Sequence, residues 1–283
     1  MLEDDMEILP LTGGLGAEIF GADIRRSEDF IAIEAAFAKY SVVVLRGQAA
    51  GPEDHLAFAR RFGPINVNRF FKPVEGHPEI AMVLKEKDQA EAVGEGWHTD
   101  HSYDKEPAMG SILRAIEMPP FGGDTLFVSM GAAYEALSAP MRRFLDELTA
   151  VHSSRHVFGA AAADSEAARS GRLGNAGAAT QEVSHPVVIT HPLSRRRGLF
   201  INPVFTTRIE GLSPTESDAV LTMLYAHCQQ PEFQCRVRWQ ASDIAMWDNR
   251  ATWHKAINDY HGFRRLMHRV TVEGVPLSGA SAA

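Results

Sequence analysis

The sequence predicts a mainly β fold with flanking helices, a barrel or sandwich rather than a doubly wound α/β sheet. Three observations carry this. The last third is dominated by short β-branched and aromatic runs separated by turn residues, only one helix there is clearly marked, and no internal repeat is present. The 283 residues, 45% hydrophobic and 23% charged, have the balance of a globular chain with a sizeable core.

Taken in order, Ser27 is a helix N-cap, with Glu28 and Asp29 behind it and Phe30, Ile31, Ile33, Ala36 and Phe37 at helical spacing. Residues 41–45 read as a buried β-branched strand closed by Gly47, and a second helix starts at Pro52 and stops at Gly63. Another strand is expected near 80–84, then two short helices in 130–150 broken at Pro140. Residues 159–184, rich in Ala, Gly and Ser, can bury little surface, so they are expected to form a mobile loop or weak helix acting as a lid. Ser213, Pro214 and Glu216 make a capping box for a helix running to about His227. Strands are expected at 233–239, 243–247 and 264–272.

Charge and cysteine content exclude several classes of function. With 28 Lys+Arg against 36 Asp+Glu the formal net charge is −8, so nucleic acid is not an expected partner. The acidic first ten residues do not form a secretory signal, and no run of about 18 apolar residues could span a bilayer. A cytoplasmic protein without a membrane partner is expected. Cys228 and Cys235 are too few for a disulfide framework, and no base marks either as catalytic. The glycines at 13, 14 and 16 precede no strand-to-helix unit with a ribose-binding acid, which argues against a dinucleotide site.

The chemistry is concentrated in Trp97-His98-Thr99-Asp100. On a strand His98 and Asp100 would share a face, giving two ligands of a two-histidine, one-carboxylate site for iron(II). Taken alone, the same pair is compatible with a hydrogen-bonded turn. Downstream lie Trp247-Asp248-Asn249-Arg250-Ala251-Thr252-Trp253-His254 and Gly262-Phe263-Arg264-Arg265-Leu266-Met267-His268-Arg269. With Arg61-Phe62-Gly63, Gly122-Gly123-Asp124-Thr125, His185-Pro186 and Phe205-Thr206-Thr207-Arg208, the chain resembles the TauD/TfdA family of iron(II), 2-oxoglutarate-dependent dioxygenases over almost its whole length.

That resemblance implies a double-stranded β-helix, a jelly-roll (cupin-like) core, forming a single domain over 1–283. It makes His98, Asp100 and His254 the metal ligands, with Fe(II), 2-oxoglutarate and O2 as cofactor and cosubstrates. His98 and His254 stand 156 residues apart, so both halves of the chain must meet at one metal. Arg265, eleven residues after His254, matches the arginine that grips the far carboxylate of 2-oxoglutarate, and Thr125 matches its hydroxyl partner. If 264–272 is a strand, Arg265 and Arg269 share a face about 13 Å apart, so two anions are implied. Arg269 matches the family's substrate arginine; the competing reading pairs it with a buried carboxylate of the protein.

Where the taurine enzyme has polar handles, this chain has Asn68, Phe71 and Val157, while Phe158 and Phe205 match its aromatic residues. An apolar pocket without partners for an ammonium disfavours taurine. It favours a small anionic organic substrate with an apolar body: an aryloxyalkanoate, alkylsulfonate or alkyl sulfate. Tyr103 is placed at the substrate entrance, and His101, facing away from Asp100 on a strand, is given a supporting role. The resemblance implies hydroxylation with release of succinate and CO2, in a homodimer or tetramer. Desaturation or epoxidation would use the same residues. A zinc hydrolase would leave Arg265 and Thr125 without a role, and a non-catalytic binding module would be expected to lack a ligand.

Overall fold

The computed structural model describes residues 6–162 and 164–280. Its backbone is a nine-stranded sheet in which Val42–Leu45, Ile244–Asp248, Gly110–Glu117, Arg265–Val272 and His77–Lys85 lie side by side. A second sheet of three strands, Gln234–Val237, Thr125–Ser129 and Thr252–Ala256, packs against one face of it. Strands from both halves of the sequence interleave in each sheet. This is the jelly-roll core that the sequence implied, with Pro52–Arg60 and Ser27–Tyr40 packed on the outer face of the large sheet.

Side-chain alternation shows why each strand sits where it does. Ile244 and Met246 face the helices, whereas Ala245 and Trp247 face the second sheet. The same parity places Ile112, Val270 and Val272 outward and Leu113, Ala115 and Met267 inward. All four residues of Val42–Leu45 are buried, which explains an unbroken β-branched run where a half-exposed strand would alternate.

Several local expectations need correction. Ser27 lies inside the first helix, whose N-cap is Arg26 with no side-chain cap bond. The helices Met130–Ala136 and Ala139–Leu145 part at Leu137 and Ser138, and Pro140 sits in the first turn of the second, where its missing N–H costs nothing. The segment 159–184 carries short turns at Ala160–Ala162, Glu166–Arg169 and Ala176–Ala178, and its last residues join the strand Glu182–Pro186, paired with Thr149–Ser153. The capping box at Ser213 and Glu216 is present, and its helix is Pro214–Cys228. No described helix is long and apolar enough to cross a membrane.

Candidate active site

His98 and Asp100 do not lie on a strand. His98 forms an isolated bridge to His254, with backbone N–H···O=C bonds of 3.1 and 2.8 Å in the two directions, and Asp100 follows in a turn. The two histidines are thus direct antiparallel partners, their ring centroids 4.1 Å apart. A left-handed residue at His101 (φ 59°) tightens the turn and leaves Asp100 on the histidine side. Ligand atoms of His98, Asp100 and His254 all lie within 4.8 Å of one another.

The donor set suits a divalent metal. His98 Nδ1 bonds the Gly96 carbonyl at 2.8 Å, so its proton is there and the Nε2 lone pair turns toward Asp100, 3.6 Å away. Burial pushes His254 well below the usual imidazole range, with His98 adding to the effect, so its ring is neutral. Burial works against ionisation of Asp100, but the Arg269 guanidinium beside it holds its carboxyl well below the usual range. An ionised Asp100 and a neutral His254 are the ligand forms a metal requires. Ser111 donates to Asp100 Oδ2 at 2.8 Å and fixes the carboxylate from the large sheet.

These groups line a cavity of about 280 Å3. The inward register Arg265↔Lys85, Met267↔Val83, Arg269↔Ala81 places both arginines on its wall. Arg265 is buried, makes no hydrogen bond or ion pair among the described residues, and has an unpartnered Nε. Such an uncompensated cation calls for an anion, and burial lowers its affinity for its proton in the anion's absence. Thr125 also lines the cavity; its Oγ1 accepts from Trp239 Nε1 at 2.9 Å, leaving the hydroxyl proton free to donate. Both residues fit the far carboxylate of a keto diacid.

Arg269 makes the contact of the competing reading, a pairing with a buried carboxylate, and also lines the cavity. Its Nη1 lies 3.2 Å from each Asp100 oxygen, a buried protein carboxylate, while its guanidinium stacks 4.4 Å from the Phe71 ring centroid on the cavity wall. Asn68, Tyr103 and Val157 line the same space, and Phe158 and Phe205 close it with edge and tilted contacts to Tyr103 and to each other. Tyr103 is buried within this wall, and burial raises its phenol so that it stays protonated.

The sequence reading misplaced one residue and missed three. His101 was expected to face away from Asp100; in a turn the period-two rule does not hold, and it lines the cavity. Ser111, Trp239 and Lys85 carry no motif. Ser111 and Trp239 are visible only through their bonds, and Lys85, buried across from Arg265, lies 4.6 Å from the Tyr260 ring centroid.

The family model for the taurine catabolism dioxygenase TauD, TfdA family matches residues 7–271. The alpha-ketoglutarate-dependent sulfate ester dioxygenase of Pseudomonas putida is 34% identical over 281 residues, 95% of this chain and 90% of that protein. The alpha-ketoglutarate-dependent 2,4-dichlorophenoxyacetate dioxygenase of Cupriavidus pinatubonensis is 34% identical over 284 residues, 93% of this chain and 96% of that protein. The crystal structure of a taurine dioxygenase from Burkholderia xenovorans matches with a TM-score of 0.81 at 35% identity, covering 98% of this chain and 94% of that one.

Proposed function

Because the chain belongs to the TauD, TfdA family, we propose that its buried triad works in a 2-oxoglutarate-dependent non-haem iron dioxygenase that hydroxylates an anionic substrate with an apolar body. The observation that carries this is the convergence of His98, Asp100 and His254 on one point of a cavity that also presents two buried arginines.

His98, Asp100 and His254 hold iron(II) in this reading, with Ser111 orienting the carboxylate. Iron and 2-oxoglutarate supply the oxidation: the keto acid loses CO2 to give succinate while one oxygen atom of O2 enters a substrate C–H bond. The protein's part is binding, orientation and exclusion of water. Arg265 grips the far carboxylate of 2-oxoglutarate through its planar guanidinium, with Thr125 donating its hydroxyl. Once a metal shares Asp100, the charge of Arg269 is available to the substrate's acid group. The wall of Phe71, Tyr103, Val157, Phe158 and Phe205 takes the apolar body.

The relatives act on sulfate esters and on 2,4-dichlorophenoxyacetate by name, and both are acids on an apolar frame. The same chemistry supports an alkyl sulfate, alkylsulfonate or aryloxyalkanoate here. Residues 159–162 and 164–184 serve as the lid of a single domain: Ala162, Ser165 and Leu173 line the cavity, Glu166 accepts from the Ala90 and Glu91 N–H groups, and Arg172 donates to the Leu84 and Glu91 carbonyls. A cytoplasmic homodimer or tetramer follows the family pattern.

The test is an anaerobic iron(II) and 2-oxoglutarate titration followed by an oxygen-dependent succinate screen over taurine, alkylsulfonates, alkyl sulfates and aryloxyalkanoates. Apolar acids should stimulate succinate formation, and Ala at His98, Asp100 or His254 should abolish it. Near-normal turnover in all three variants would end the proposal.

A further inference from the structure

Behind Asn68 the cavity wall continues into a buried polar chain that the reaction above does not use. Asn68 Oδ1 accepts from the backbone N–H groups of Phe70 and Phe71 at 2.9 and 3.0 Å, so Nδ2 is the end that meets His101 Nε2, 3.3 Å away. An amide nitrogen can only donate, so Nε2 must accept and the imidazole proton sits on Nδ1. Nδ1 donates to Asp104 Oδ2 at 2.9 Å, and Arg69 Nη2 holds both Asp104 oxygens at 2.5 and 2.6 Å. His101 is 2% exposed in a left-handed conformation that residues with side chains seldom adopt, so the surrounding bonds over-determine it. One amide proton of Asn68 is committed to His101; the other has no acceptor among the described residues. Asn68 lines the cavity next to Phe71, on whose ring Arg269 stacks.

We propose that Asn68 is locked as a hydrogen-bond donor to the substrate's acid group, and that His101, its tautomer set by Asp104, is the positioning residue that locks it. The proposal rests on the acid-binding reading above and adds its specificity. Asn68 and Arg269 together offer only donors, so they select a group whose oxygens all accept, as in a sulfate ester, sulfonate or carboxylate. A substrate amide or ammonium placed there would face N–H against N–H.

The test uses calorimetric binding of hexyl sulfate and 2,4-dichlorophenoxyacetate to the anaerobic protein loaded with iron(II) and 2-oxoglutarate. A long-range proton–nitrogen correlation spectrum of the zinc-loaded protein gives a readout independent of turnover. His101 should appear as the Nδ1–H tautomer. His101→Phe, which leaves Asn68 held through Oδ1 alone, should weaken acid binding by up to about tenfold to a hundredfold, the worth of the Asn68 hydrogen bond to a charged acceptor, with 2-oxoglutarate affinity unchanged. His101→Gln, whose Oε1 can replace Nε2 as acceptor, should recover most of it. An Nε2–H tautomer in the wild type, full acid affinity in His101→Phe, or no recovery in His101→Gln would each overturn the relay. If Arg269→Leu loses acid binding while His101→Phe keeps it, the relay falls and the acid site stands. If the wild type binds neither acid, both fall.

Discussion

Replacing Arg265 with Leu should move stability and cosubstrate affinity in opposite directions. Arg265 is a buried guanidinium with no ion pair and an unpartnered Nε among the described residues, and Gly123 packs close to its stem. An uncompensated buried charge destabilises the ligand-free protein, so exchange for an apolar side chain of smaller volume should leave its melting temperature equal or higher. The gain is limited by the cavity left behind. Binding of 2-oxoglutarate loses two charge-assisted hydrogen bonds; taking about 3 kcal/mol for the pair, affinity falls at least a hundredfold. At a ligand concentration about 100 times its Kd the wild type gains roughly 2.7 kcal/mol, which for a chain of this size is about 5–10 °C. The same concentration would give the variant about 0.4 kcal/mol, a shift near 1 °C. Thermal melts of the zinc-loaded protein with and without 2-oxoglutarate read both effects. A ligand-free melting temperature several degrees below wild type, with the ligand shift intact, would show that Arg265 is structural.

Ser111→Ala removes the 2.8 Å bond that orients Asp100 and should weaken metal binding about tenfold to a hundredfold, read by anaerobic titration with cobalt(II); unchanged affinity would refute the orienting role. Burial pushes His55 and His152 down to about 3, so neither is protonated in the folded protein at mildly acid pH. The unfolded chain takes up these protons first, below about pH 6.5, so stability is full above that pH and declines as pH falls toward 3, by about 1.4 kcal/mol per pH unit for each group. Urea melts between pH 7 and 5 should show this slope, and His152→Asn should reduce it. Ser213→Ala breaks the capping box and should cost about 1 kcal/mol in urea denaturation, with 2-oxoglutarate turnover unchanged.

Much of the core was legible because strands and helices impose their period on the residues that fill them. The residues of Ile244–Asp248 and the capping box at Ser213 could be placed without coordinates. Order failed as a guide where the chain leaves that period. His98 and Asp100 were assigned to one face of a strand; both do face the centre, but through a bridge and a left-handed turn, and the same turn brings His101 to the cavity. Pro140 was taken as a break because sequence does not distinguish the first turn of a helix from its end.

What the amino-acid order alone determined is the chemical inventory: two imidazoles and a carboxylate, two arginines, a threonine hydroxyl and a set of apolar residues for the wall. Those identities were picked out by the motifs shared with the family, and ligand and charge chemistry gives each its role. Only the tertiary structure decided which groups touch: His98 against His254, Arg269 against Asp100, Trp239 on Thr125, and Asn68 through His101 to Asp104. Most of these contacts join residues far apart in the chain, set by strand register and by turns whose hydrogen bonds form only once both partners are in place.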